Sequence, residues 1–183
     1  TAQDQTPYFL TANHCGVNSS NASTMVVYWN FYSPTCGAHG GGSLSTYQTG
    51  ATWRASYGTS DVTLVQLNSS PQASWGITYA GWDRNGLNPP SGAGIHHPSN
   101  DEKSITFFDS LYHPSHGSSW GCSASPGPGD NTHIRVYWNA ADGAVTEPGS
   151  SGSPLFDNNH RIIGQLHGGP SACGVTGDSL SDC

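Results

Sequence analysis

Charge is what this chain has least of. Asp, Glu, Lys and Arg make up 9% of its 183 residues, and 5 basic residues face 12 acidic ones, for a net charge of −7. With no Lys/Arg run and no basic patch, neither nucleic acid nor an anionic membrane surface is expected as a partner. A cationic substrate remains compatible with that charge. Lysine occurs once, at Lys103. No apolar run approaches membrane-spanning length, and no signal-peptide pattern opens the sequence. The i, i+3, i+4, i+7 apolar spacing of an amphipathic helix is not sustained anywhere. No C-x-x-C pair is present, which speaks against thiolate metal sites and thioredoxin-type chemistry. The histidines at His39, His96, His97, His113 and His116 form no H-E-x-x-H pattern, so neither metal nor cofactor is expected.

What the chain does contain is turn-forming and aromatic residues. There are 24 Gly and 12 Pro, alongside 6 Trp, 8 Tyr and 5 Phe that can fill a core. The 5 cysteines in a low-charge, Gly/Ser-rich chain point to an oxidising compartment and a secreted, extracellular protein. Thr1-Ala2-Gln3-Asp4-Gln5 reads like the middle of a loop and Asp182-Cys183 like an abrupt stop, so a fragment of a longer protein is expected.

Strands are expected over Pro7–Thr11, Met25–Phe31, Ala51–Tyr57, Asp61–Leu67, Ile77–Trp82, Ser104–Phe108 and His133–Trp138, with a long loop over Gly37–Gly50 and another over Trp120–Asp130. Two more apolar runs flank a polar turn after Ser153. Short strands at regular spacing with turns between them indicate an all-β sandwich or barrel. The polar Asn68–Ser74 segment, with Pro71, marks a division into 1–70 and 71–183.

The chemistry centres on Glu147-Pro148-Gly149-Ser150-Ser151-Gly152-Ser153-Pro154. Most serines in turns are only polar turn residues. Here glycines on both sides allow a tight curl that projects the Ser151 hydroxyl and frees the N–H groups of Gly149 and Ser151 for a developing oxyanion. The Gly-x-Ser-x-Gly elbow is not met, because Ser153 stands where its last glycine belongs. His14, in Asn13-His14-Cys15 at the end of an apolar run, is the candidate base, and it needs a carboxylate on Nδ1. Asp61, just before an alternating strand, is favoured on pattern over Asp83, Asp101, Glu102 and Asp109.

The order His, Asp, Ser is that of two-barrel serine proteases. The chain resembles the bacterial lysyl endopeptidases of the trypsin-like superfamily. The resemblance is carried by Tyr8-Phe9-Leu10-Thr11-Ala12-Asn13-His14-Cys15-Gly16, Val26-Val27-Tyr28-Trp29-Asn30, Thr59-Ser60-Asp61, Ala80-Gly81-Trp82-Asp83-Arg84, Ile95-His96-His97-Pro98, the serine turn from Val145, and Gly164-Gln165-Leu166-His167-Gly168-Gly169-Pro170. It implies a double six-stranded β-barrel, here lacking its first strands and its last strand and helix.

The resemblance further implies His14 as general base, Asp61 as its orienting carboxylate, Ser151 as nucleophile, and Gly149 with Ser151 as oxyanion hole. Leu166, His167 and Gly168 would pair with the substrate backbone. Asp182 would hold the substrate lysine, with Asp178 as its local rival, and Trp120 would stack on His167. Cys15, Cys36 and Cys173 match positions bridged to an N-terminal segment absent here. Cys122 and Cys183, outside the family pattern, are expected to pair. Ser150 occupies the place of the aspartate that captures a new N-terminus in pancreatic-type enzymes, so that activation trigger should be missing. The expected protein is a monomeric endopeptidase acting on lysine-containing proteins and peptides. Two alternatives stay open: a non-catalytic β-barrel binding module, and a protease of the same fold selecting Arg or Glu.

Overall fold

β-branched and aromatic runs cut by Gly, Pro, Ser and Asn favour antiparallel pairing, which satisfies the backbone without helices. The computed structural model describes residues 4–85, 89–112, 132–139, 141, 143 and 145–183. Among the described residues it contains strands and short 3-10 turns, and no α-helix.

In chain order the first strands are β1 (Tyr8–Ala12), β2 (Val26–Tyr28), β3 (Tyr47–Thr49), β4 (Ala51–Tyr57) and β5 (Val62–Leu67). β5 lies between β1 and β4, and β2 pairs with β3. The alternation in β5 turns Thr63, Val65 and Leu67 inward. Val65 and Leu67 join Ala22, Val27 and Ala51 in one core, flanked by Phe9, Trp29 and Trp53. In the β1–β5 register, Tyr8 opposes Gln66 and Ala12 opposes Val62. The residues after β1 therefore lie beside the residue before β5, and Asn13 N–H donates to the Asp61 carbonyl at 2.8 Å.

The second group comprises β6 (Gly92–His96), β7 (Ser104–Tyr112), β8 (Arg135–Trp138), β9 (Pro154–Asp157), β10 (Ile162–Gln165) and β11 (Ser181–Asp182). They form one antiparallel sheet in the order β10-β9-β6-β7-β8-β11. Its core is Phe108, Leu111, Val136, Trp138, Leu155 and Leu180. Gly92 is needed for this packing, since a Cβ there would sit 2.1 Å from the Phe156 carbonyl oxygen and 2.6 Å from the Phe108 ring. Strands before Asn68 and strands after Pro90 share no sheet among the described residues.

Three details differ from the sequence reading. Ile77–Trp82 forms no strand; it touches β10 through a single bridge, Trp82 to Ile162, too short a pairing to make a ladder. Met25–Phe31 contracts to Val26–Tyr28, where the Tyr47–Thr49 partner ends. That partner lies inside the expected Gly37–Gly50 loop, and the Tyr28 and Tyr47 rings meet across the pair, tilted by 47° with centroids 5.9 Å apart.

Candidate active site

His14 sits in a 3-10 turn, Asn13–Cys15, closed by Gly16 at φ 78°. Asp61 takes φ 52°, a left-handed conformation that Asp tolerates better than most residues. That conformation puts the carboxylate under the turn. Its Oδ1 accepts the His14 backbone N–H at 2.8 Å and its Oδ2 lies 2.6 Å from His14 Nδ1. The Asp61 side chain is 4% exposed and the His14 side chain 44%, so the ring stands between a buried anion and open water.

Ser151 arrives from the other group of strands. The Ser150 N–H donates to the Glu147 carbonyl and the Ser153 N–H to the Ser150 carbonyl, which tightens the turn. Two bonds fix its far side: Gly152 N–H donates to Leu166 O, and Leu166 N–H to Ser153 O. Gly152 has φ 78°, and a Cβ there would meet Ala12 N and Thr11 Oγ1 at 2.7 Å each. Only glycine lets the serine turn press this closely on the end of β1. The outcome is a distance of 2.8 Å between Ser151 Oγ and His14 Nε2. A buried carboxylate, an imidazole and a hydroxyl thus stand in line, an arrangement that lets the ring accept the hydroxyl proton.

Residues 1–183 match the family model for the C-terminal domain of lysyl endopeptidase. The chain belongs to that family. It is 30% identical over 182 residues to a lysyl endopeptidase of Pseudomonas aeruginosa, an alignment covering 95% of this chain and 36% of that protein. The chain therefore spans little more than a third of that relative. Among solved structures, a Glu endopeptidase in complex with MPD superposes with TM-score 0.54 at 14% identity, over 97% of this chain and 74% of that one. The inactive form of the Rv3671c protease gives TM-score 0.50 at 13% identity, over 89% and 68%. These two neighbours share the trypsin-like fold with the family domain described here.

Within the lysyl endopeptidase domain, the N–H groups of Gly149 and Ser151 enter no backbone–backbone hydrogen bond among the described residues. Gly149 holds φ 101°, and a Cβ there would lie 2.7 Å from Asn100 N. The His167 ring stacks on His14, with centroids 5.7 Å apart, and its Nε2 is 3.8 Å from Asp61 Oδ2. Its Nδ1 is 2.9 Å from His133 Nε2, whose other nitrogen is 2.9 Å from Thr132 Oγ1. His133 was not among the sequence candidates. Neither was Gln165, whose Nε2 donates to the Asp61 carbonyl at 2.8 Å and ties β10 to the acid. In the sequence Gln165 stands in an apolar run after the serine and in the Gly164–Pro170 stretch that carries the resemblance, with no signal of its partner.

Of the residues expected to pair with substrate, Leu166 spends its N–H on the Ser153 carbonyl, and the His167 and Gly168 N–H groups both donate to the Cys183 carbonyl. Gly168 O in turn accepts from the Cys183 N–H at 3.0 Å. Asp182 is 2% exposed. Its Oδ2 accepts Trp138 Nε1–H at 2.6 Å and the Thr146 hydroxyl. Burial pushes its carboxyl above the ordinary range, opposed by Thr146, Trp138 and the Ser171 backbone. Gly169 makes room for it, since a Cβ would fall 2.5 Å from Asp182 Oδ1. Trp138 and Thr146 line a cavity of about 240 Å³ that Asp182 does not itself line.

Trp120 and Cys122 lie outside the described residues, as does the side chain of Asp178. The expected Trp120–His167 stack and Cys122–Cys183 pairing fall there with them. Cys15, Cys36 and Cys173 are exposed free thiols. The rival acids stand elsewhere: Asp83 is 3.6 Å from Arg161, Asp109 accepts from Asn139, and Glu102 accepts the N–H groups of Gly40 and Gly42.

Among the described residues, two clusters have metal-capable donors, His14–Asp61–His167 and His39–Asp101–Glu102. In the first, Nδ1 and Oδ2 are 2.6 Å apart, a hydrogen-bond distance. Two ligands about 2.0–2.1 Å from one tetrahedral zinc would stand farther apart. In the second, the Glu102 oxygens are already engaged by backbone N–H groups.

Proposed function

We propose that this domain is the catalytic portion of a secreted serine endopeptidase that cleaves on the carboxyl side of lysine. The observation that carries the reading is the single line of contacts from Asp61 through His14 to Ser151, at 2.6 and 2.8 Å. Asp61 holds the ring with its proton on Nδ1, so that Nε2 is free to take the Ser151 proton. The deprotonated oxygen attacks the scissile carbonyl, and the charge on the carbonyl oxygen falls to the N–H groups of Gly149 and Ser151. The same imidazole then gives its proton to the leaving amine, and water hydrolyses the acyl-enzyme by the same route. Each oxyanion donor contributes about 10²–10³ in rate.

Lysine preference rests on Asp182, a carboxylate whose burial makes an ammonium partner more favourable than a neutral side chain. Its present partners, Trp138 and Thr146, would share it with the substrate cation. Substrate pairing at Gly168 would exchange bonds now made to Cys183. Secretion is supported by the cysteine usage, and Cys15, Cys36 and Cys173 are accessible for bridges to an N-terminal segment. The Cys122–Cys183 pairing belongs to the same proposal.

The test is labelling with a fluorophosphonate, followed by digestion of a mixed peptide library. Labelling lost in Ser151→Ala, with cleavage after lysine, is the expected result. Absence of labelling in the unaltered protein would leave a binding module, and cleavage after Arg or Glu would move the specificity.

A further inference from the structure

Ser150, the neighbour of the proposed nucleophile, is only 1% exposed, and its Oγ lies 2.9 Å from Nδ1 of His96, also 1% exposed, at the end of β6. The same hydroxyl accepts the Glu147 N–H at 3.3 Å. With an acceptor lone pair used there, the hydroxyl can donate its proton to His96 Nδ1. The ring proton then resides on Nε2, a buried atom without a hydrogen-bond partner among the described residues, in a ring that borders the 240 Å³ cavity. A buried donor left unpaired costs about 1–3 kcal/mol. A phenylalanine would bring no such donor; what the histidine adds in exchange is an acceptor for the Ser150 hydroxyl.

The segment after His96 grips the same turn at two further points. Ser99 Oγ donates to Glu147 Oε2 at 2.7 Å, and the Asn100 backbone N lies against Gly149. Ser99 and Asn100 both hold left-handed conformations, φ 51° and 60°, which non-glycine residues keep only when their surroundings impose them.

We propose that His96 is a positioning residue for the oxyanion turn, accepting the Ser150 hydroxyl and so holding Glu147–Ser151 in the curl that leaves the Gly149 and Ser151 N–H groups unpaired. The proposal rests on the reading of Ser151 as a protease nucleophile. A neutral ring is what the accepting role requires. Burial, with the neighbouring His97, lowers the His96 pKa to about 4 against the opposing pull of Glu147.

The experiment compares His96→Phe, His96→Asn, Ser150→Ala and the His96→Phe/Ser150→Ala double variant. The readouts are kcat, KM, the fluorophosphonate titre and the thermal midpoint. Asparagine can present Oδ1 near the place of Nδ1 and accept the same proton. His96→Phe and Ser150→Ala should each lower kcat about 10- to 100-fold, a loss no larger than the about 10²–10³ supplied by one oxyanion donor, because the donors are displaced rather than removed. KM should stay nearly level, His96→Asn should recover most of the loss, and the double variant should be no worse than the worse single one. If His96→Phe does not fold, His96→Asn against Ser150→Ala carries the comparison, with the first expected to be clearly faster. Equal loss in Phe and Asn, multiplying effects in the double variant, or a KM that rises in step would overturn the assignment. An unaltered protein that fails to label would defeat the protease reading instead.

Discussion

Replacing Asp61 with asparagine tests the site at its most constrained point. Asn tolerates the left-handed φ of 52° as well as Asp does, and its Oδ1 can keep the His14 backbone N–H at 2.8 Å. The amide nitrogen must then stand where Oδ2 stood, 2.6 Å from Nδ1. An NH₂ group donates, so Nδ1 has to accept, and the ring proton moves to Nε2. That nitrogen faces Ser151 Oγ at 2.8 Å and can no longer take its proton. Loss of the correct tautomer in such a triad costs about 10⁴ in kcat, which corresponds to ~5.4 kcal/mol at 1.36 kcal/mol per decade. The assay is steady-state hydrolysis of a lysyl ester and a lysyl peptide, with the thermal midpoint measured alongside. KM should change little, because no group that grips substrate is altered. A folded Asp61→Asn protein with kcat within about tenfold of the unaltered enzyme would refute the tautomer argument.

Further expectations concern the glycine contact, the proposed lysine-binding role of Asp182 and pH. Gly152→Ala forces a side chain against Ala12 N and Thr11 Oγ1 at 2.7 Å in a left-handed conformation. The strain should cost about 1–3 kcal/mol in a urea titration and lower kcat further by lifting Ser151 from His14. Asp182→Asn keeps an acceptor for Trp138 and Thr146 while removing the charge. Preference for lysine over a neutral isostere in kcat/KM should then collapse, while an unchanged ratio would place the specificity carboxylate elsewhere. His96 binds its proton more weakly folded, at about 4, than unfolded, near 6.5. The unfolded chain therefore holds more protons between these values, and stability rises with pH across that window and levels above it, by at most ~1.4 kcal/mol per unit for one proton. In urea titrations from pH 4 to 7, that part of the slope should vanish in His96→Asn; an identical slope would show that other groups govern it.

Much of the site could be read from residue order alone. A histidine after an apolar run, an acid before an alternating strand and a serine in a glycine turn are local patterns, and each follows from backbone geometry within a few residues. Strand alternation in Val62–Leu67 was legible for the same reason, since period 2 is a property of neighbouring residues. Ile77–Trp82 reads as a strand but meets β10 at one bridge only, because how far two segments run alongside each other is set by tertiary packing and not by local pattern. Among the acids, Asp61 was only a modest favourite, as nothing in Asp83, Asp101 or Asp109 marks them as engaged elsewhere.

The chain by itself determined the all-β class, the kinds of groups available and the glycines that make close approach possible. Tertiary structure alone decided which of those groups meet. Asp61 reaches His14 through the β1–β5 register, Ser151 reaches it because Gly152 has no Cβ against β1, and Gln165 crosses to the Asp61 carbonyl from residues more than a hundred positions away. Likewise His133 behind His167, and His96 behind Ser150, became visible only once the strands were paired. The physical reason is that a hydrogen bond between distant residues depends on packing that no window of sequence contains, whereas turns and alternation depend on sterics within one.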